Sequence, residues 1–346
     1  MNEEPDFDVG KALEQYGSCS SPRLGPTNND AAAAAENLEE QLHMLLCCQG
    51  NLDDESGRDY HSSRAESDDV KKVELLRVYD DGARCTCLLV AFASLSSGGK
   101  DGGSPGSRFE MVGTARRSGA THSLFVRDTQ QAWYLRGHEE DSDAFDSTLR
   151  LVCAEVDKLK PSIVVCCGSS MGGHAAARCA MELGRLANAD GRSHIRAVRA
   201  LCFGAQICLH PRERAALALP HATFDPALER LAAFAARQGF ELRSLVHLAA
   251  RPFPEYGCET TLEMHVGSIA KGDVREAMLL QRAASIGAKA VDPDGATATG
   301  GGSRGGLRAL AVHVHVHERS GHALVTGLRG GQLDDMIAKQ LRSWTN

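Results

Sequence analysis

The stretch Ile163-Val164-Val165-Cys166-Cys167-Gly168-Ser169-Ser170-Met171-Gly172-Gly173-His174-Ala175-Ala176-Ala177 decides the fold of this chain. Its first five residues are continuously apolar, which predicts a strand buried on both faces, and its small-residue end predicts a helix packed closely on that strand. Between them lies Gly-x-Ser-x-Gly, centred on Ser170. A serine on so sharp a strand-to-helix turn has a strained backbone and an exposed hydroxyl, so its neighbours must be small. Gly168 and Gly172 meet that requirement. The helix that follows aims its first backbone N–H groups at the place where negative charge would develop if the serine attacked a carbonyl.

Outward from this turn, apolar runs recur at Val73–Tyr79, Cys85–Ala93, Ser123–Val126, Ser162–Cys167, Ala197–Phe203, Thr261–Val266 and Leu307–Val316. Helical patterns separate most of them, over Asp143–Leu159, Gly173–Leu186, Pro226–Gln238 and Asp273–Ile286, with a last one at Leu333–Trp344. Continuous apolar strands alternating with helices predict an α/β fold: a three-layer α/β/α sandwich around a mainly parallel sheet. The domain is expected over residues 71–346, with a small helical insert around 210–259 between two core strands. Residues 1–70 are rich in Ser, Asn, Asp, Glu and Gly and read as a disordered tail with one amphipathic helix, Ala31 to Gln49. The leucines Leu38, Leu42, Leu45 and Leu46 give that helix an apolar stripe, which could dock on the domain or on a protein partner.

Two residues downstream extend the serine pattern. Asp273 follows the strand Thr261–Val266, where it could also cap a helix, and His322 follows the last long strand in Ser320-Gly321-His322. The order Ser, Asp, His, together with Ser170-Met171-Gly172-Gly173 and Gly321-His322, resembles the α/β-hydrolase superfamily from about Val73 onward. Leu124-Phe125-Val126-Arg127-Asp128 and Trp133-Tyr134-Leu135-Arg136-Gly137 are also similar to uncharacterised bacterial hydrolase-like domains. The resemblance implies a serine esterase or acyl hydrolase acting on an ester or thioester, without a cofactor. It implies Ser170 as nucleophile, His322 as general base and Asp273 as the acid that orients it, with Asp292, Asp294 and Glu318 as rival acids. Met171 N–H would be one oxyanion donor. The second is expected near Ser94, Leu95 or Ser96, with Leu95 chosen, although no His-Gly-Gly stretch follows that strand. Trp133 and Tyr134 are expected to wall the pocket. A binding module that keeps the elbow without catalysis is the alternative.

Other patterns carry less. His313, His315 and His317 alternate with valines and so share one strand face, where the outer two lie roughly 13 Å apart and cannot converge on one metal. With His265 nearby, a metal-dependent hydrolase is a lesser reading. Gly98-Gly99-Lys100 is followed by Asp101, so Ser96–Ser107 lacks the phosphate-loop sequence and reads as a solvated loop, as does Asp292–Gly306.

Composition sets the remaining bounds. Of 346 residues, 42% are hydrophobic and 24% charged, which suits a soluble globular protein, and a net charge of -7 gives nucleic acid no reason to bind. The acidic opening Met1-Asn2-Glu3-Glu4-Pro5-Asp6 has no apolar segment, and no run is long enough to span a bilayer, so a cytoplasmic location is expected. The 12 cysteines are scattered without a Cys-x-x-Cys pair. Cys85, Cys87, Cys166, Cys167 and Cys202 fall within predicted strands and read as reduced, buried small hydrophobes.

Overall fold

The computed structural model describes residues 73–80, 82–95, 109–135, 144–189, 193–220, 222, 224–240, 242, 244–251, 253, 258–291, 310–322 and 332–345. The expected helix at 31–49, the tail 1–70 and the loops 96–107 and 292–306 lie outside them. The strands are β1 (Val73–Tyr79), β2 (Cys87–Phe92), β3 (His122–Asp128), β4 (Ile163–Ser169), β5 (Ala197–Phe203), β6 (Glu259–Gly267) and β7 (Ala311–His317). The helices are α1 (Val112–Arg117), α2 (Ala144–Leu159), α3 (Met171–Ala189), α4 (Pro211–Ala216), α5 (Asp225–Gln238), α6 (Leu245–Ala250), α7 (Lys271–Val291) and α8 (Gln332–Thr345).

The strands form one sheet in the order β1-β3-β2-β4-β5-β6-β7. Only β1 runs antiparallel, against β3; every other pairing is parallel. The register sets Phe92 beside Gly168, Ser169 beside Phe203, Phe203 beside His265 and Gly267 beside His317. The carboxyl ends of the six parallel strands therefore finish on one edge. Between β2 and β4 the winding direction reverses, and in open α/β sheets that crevice is where ligands bind.

Each face of the sheet is covered, as a parallel sheet requires. Leu88, Val90, Val164, Cys166, Ala200 and Leu262 on one face pack with α2, α3, α7 and the helices between β5 and β6. Leu89, Ala91, Phe125, Val165, Leu201 and Phe203 on the other pack with α1 and with Leu333, Ile337 and Leu341 of α8. An Arg117–Asp334 ion pair joins α1 to α8. The result is the three-layer sandwich.

Differences from the sequence reading are local. Helix α3 begins at Met171, two residues earlier than its apolar pattern, because the turn before it consumes one residue. Helix α7 begins at Lys271, which puts Asp273 in its first turn instead of at the cap. The short helices α1, α4 and α6 escaped the periodicity test, being 6 residues each. Local chemistry starts two of them: His210 and Ser244 accept from Arg212 N and Val246 N, and Pro211 opens α4. All cysteines among the described residues are free, and eight of the nine are buried. No described helix is long and apolar enough to cross a membrane.

Candidate active site

Ser170 is the single residue between β4 and α3, and its φ of 52° lies in the left-handed region. Two hydrogen bonds hold it there: Ser170 N donates to Phe203 O at 2.8 Å, and His174 N donates to Ser170 O at 3.0 Å. A Cβ on Gly168 would strike the Gly172 carbonyl, and one on Gly172 would strike the Phe92 carbonyl. Both glycines are thus demanded by close backbone approach. The second approach also presses the elbow against the end of β2.

His322 comes from the loop after β7, which is tied to the turn after β6. Ser268 N donates to His317 O, Ile269 N to Ser320 O, and Arg319 N to the Ser268 hydroxyl. The imidazole lies with Nε2 3.0 Å from Ser170 Oγ and Nδ1 2.7 Å from Asp273 Oδ2. An ionised carboxylate can only accept, so Nδ1 carries the proton and the Nε2 lone pair faces the serine. The hydrogen bond to Asp273 raises the His322 pKa above the ordinary imidazole value, against the opposing effect of burial. Gly204, with φ 53°, leaves room for this pair: a Cβ there would come within 2.8 Å of His322 O and 3.2 Å of Asp273 Oδ2.

Serine, acid and histidine thus follow β4, β6 and β7 in that order, gathered at the carboxyl edge of the sheet. The fold is that of the α/β-hydrolases. No family model matches the chain, and no curated protein matches it by sequence. Solved structures similar to it include a hormone-sensitive lipase from a metagenome library, at 16% identity and TM-score 0.46 over 99% of this chain and 98% of that one. An esterase of Pyrobaculum calidifontis is similar at 11% identity and TM-score 0.41, over 92% of this chain and 94% of that one. MenH from S. aureus is similar at 13% identity and TM-score 0.42, over 80% of this chain and 100% of that one.

The other residues expected at the site take varied places. Met171 is the first residue of α3, next to the serine. Leu95 lies in the segment after β2, partly buried against the core, and its neighbour Ser94 donates to Glu110 Oε1 at 2.5 Å. Glu318 is exposed on the turn after β7, while the Nδ1 of His322 is already taken by Asp273. Asp292, Asp294 and Ser96 lie outside the described residues.

Trp133 and Tyr134, expected to wall the pocket, are part of the core. Both are fully buried, at φ 53° and 62°, in a loop wrapped around the Asp128 carboxylate, which accepts from Gln130 N, Ala132 N and Tyr134 N. Tyr134 turns inward and donates to Ala93 O and Val126 O, with its ring edge-on to Phe92. Trp133 Nε1 donates to Gln206 Oε1 at 3.2 Å, and Gln206 Nε2 in turn reaches Ser170 Oγ at 2.9 Å. The aromatic ring that does meet the histidine is Phe224, from the segment between β5 and β6, 5.5 Å from the His322 ring centre.

Gln206 and Phe224 carried no signal in the sequence. Each is a lone residue in a loop, made relevant by the chain path alone. The strand histidines also found a partner that alternation did not reveal: Glu263 on β6 accepts from His313 Nδ1 at 3.1 Å and His315 Nε2 at 2.6 Å. His265 bonds His317 at 3.0 Å and stacks on His315 and Phe203. Among the described residues, no group of three or more His, Cys, Asp or Glu is arranged to hold a metal ion.

Proposed function

We propose that the chain is a serine hydrolase that cleaves an ester or thioester of a small molecule through an acyl-enzyme on Ser170. One observation carries the reading: His322 spans Ser170 and Asp273 at 3.0 Å and 2.7 Å, an arrangement in which Asp273 keeps the ring proton on Nδ1 and the Nε2 lone pair is left to the serine. Ser170 attacks the substrate carbonyl as His322 Nε2 takes its hydroxyl proton. Asp273 stabilises the imidazolium, and the N–H of Met171, with a second donor from the segment around Leu95, holds the oxyanion. His322 then gives the proton to the departing alcohol or thiol. Water, activated by the same nitrogen, attacks the acyl-enzyme, releases the acid and restores Ser170.

The segment between β5 and β6 favours an apolar or mixed acyl group. It is rich in Ala and Leu, and it brings Phe224 against the His322 ring. A fluorophosphonate probe tests the assignment. Covalent labelling is expected in the wild type and absent in Ser170→Ala, with hydrolysis of a panel of p-nitrophenyl and thioesters lost in parallel. Labelling or turnover that survives Ser170→Ala overturns it, as does a wild type inert to both.

A further inference from the structure

Gln206 is 1% exposed, and the loop after β3, helix α3 and the loop after β7 all meet it. Trp133, from the strained loop after β3, donates its indole N–H to Oε1 at 3.2 Å. His174, in the first turn of α3, meets the Gln206 carbonyl through Nδ1 at 2.7 Å. Burial pushes the His174 pKa down to about 3, so the ring is neutral and its one proton sits on Nδ1. One residue on, Ile207 N donates to Glu276, and Cys208 N donates to the same carboxylate oxygen at 3.2 Å. Glu276 is itself paired with Arg214 at 2.7 Å.

This packing fixes which way the amide faces. An indole nitrogen only donates, so the atom toward Trp133 is the carbonyl oxygen and the NH2 must face the other way. There it lies 2.9 Å from Ser170 Oγ, 3.3 Å from His322 Nε2 and 3.5 Å from Gly204 O. The NH2 thus lies against the two atoms between which a proton would move, with the Gly204 carbonyl at the edge of its reach.

We propose that Gln206 is a fourth catalytic residue, whose amide N–H donates to Ser170 Oγ, directs the hydroxyl proton toward His322 and stabilises the charge that builds on Oγ as that proton leaves. The proposal rests on the serine-hydrolase reading. With the N–H on one lone pair of Oγ, the hydroxyl proton points to the remaining partner, Nε2. Once Oγ is acylated it becomes an ester oxygen and a poor acceptor. The N–H then faces the space before Nε2, where the attacking water must sit, so one donor serves both half-reactions. Trp133 acts as a positioning residue, because without its N–H the amide can turn over and present oxygen to the serine.

The test measures fluorophosphonate labelling rate against pH in the wild type, Gln206→Ala, Gln206→Glu and Trp133→Phe, beside an NMR titration of the His322 imidazole. Gln206→Ala is expected to label about 10²-fold more slowly, the loss typical of a donor aimed at developing charge. Trp133→Phe should lose about tenfold. In Gln206→Glu a carboxylate would face protonated Nε2, moving the His322 midpoint up by about one pH unit. Should Gln206→Ala fail to fold, as read by thermal unfolding, the isosteric Gln206→Glu carries the test. Wild-type labelling rates in both Gln206 variants, or a His322 titration unmoved in Gln206→Glu, overturn the proposal. A wild type that never labels overturns the serine-hydrolase reading, and the titration still decides whether Gln206 contacts the imidazole.

Discussion

Ser170 holds a backbone conformation that costs a residue with a β-carbon about 1–2 kcal/mol. The surrounding hydrogen bonds and glycine contacts enforce it, so the strain belongs to the site and is independent of the hydroxyl. Comparison of two variants that both lack the hydroxyl isolates it. Ser170→Gly is expected to exceed Ser170→Ala in stability by about 1 kcal/mol in urea unfolding, since only glycine is at ease at this φ. Asp273→Asn probes the histidine. In the proposed mechanism the neutral imidazole is the base, so labelling by a fluorophosphonate should rise as pH climbs through the raised His322 pKa. Without the carboxylate, burial is opposed only by the weaker pull of Glu276, and the midpoint moves to lower pH. The plateau rate should also fall by about 10³–10⁴, because an amide can hold the wrong tautomer. Linkage gives a second readout of opposite sense. The Asp273–His322 interaction adds stability that is complete below the ordinary imidazole pKa of 6.5 and is lost as pH rises through the higher folded value.

At the scale of elements, the segment between β5 and β6 is anchored by a buried ion pair. Arg214 of α4 and Glu276 of α7 have side chains 8% and 2% exposed, and burial raises the Glu276 pKa despite the arginine. Arg214→Met is expected to cost about 3–5 kcal/mol by leaving a carboxylate buried without its partner. Adding Glu276→Leu should recover only part of this, because Ile207 N and Cys208 N would then lose their acceptor. Thermal or urea unfolding of the two variants measures the difference. The long elements of this fold were legible in the sequence because burial on both faces makes strands such as Val164–Cys167 uniformly apolar. The places of Ser170, Asp273 and His322 after β4, β6 and β7 were legible because each follows a predicted apolar strand. Helices α1, α4 and α6 were not, since 6 residues carry less than two turns of periodicity and are held by caps and tertiary contacts. The full burial of the aromatic pair after β3 was not legible for a related reason: the sequence shows bulk at 133 and 134, while only the left-handed backbone there tells which way the bulk turns.

Across the whole molecule, the groups of the site draw very unequal support from the sheet. Ser170 follows β4, which is paired on both sides and enclosed by α3, whereas His322 follows β7. Among the described residues β7 is bonded to β6 alone, and its outward-facing His313 is exposed. Ser170 and His322, the proposed nucleophile and base, therefore belong to regions of different local stability, and on that proposal the less protected region sets the functional lifetime. Amide hydrogen exchange should be faster in β7 and around His322 than in β4 and α3. In rising urea, labelling of Ser170 should fail at a lower concentration than the loss of helix seen by circular dichroism. Simultaneous loss of both would show that the edge strand opens only with the whole domain. If they separate, a protein that still looks folded will already have shed its base, and resistance to inactivation would be gained by reinforcing the β6–β7 margin more than by improving the core.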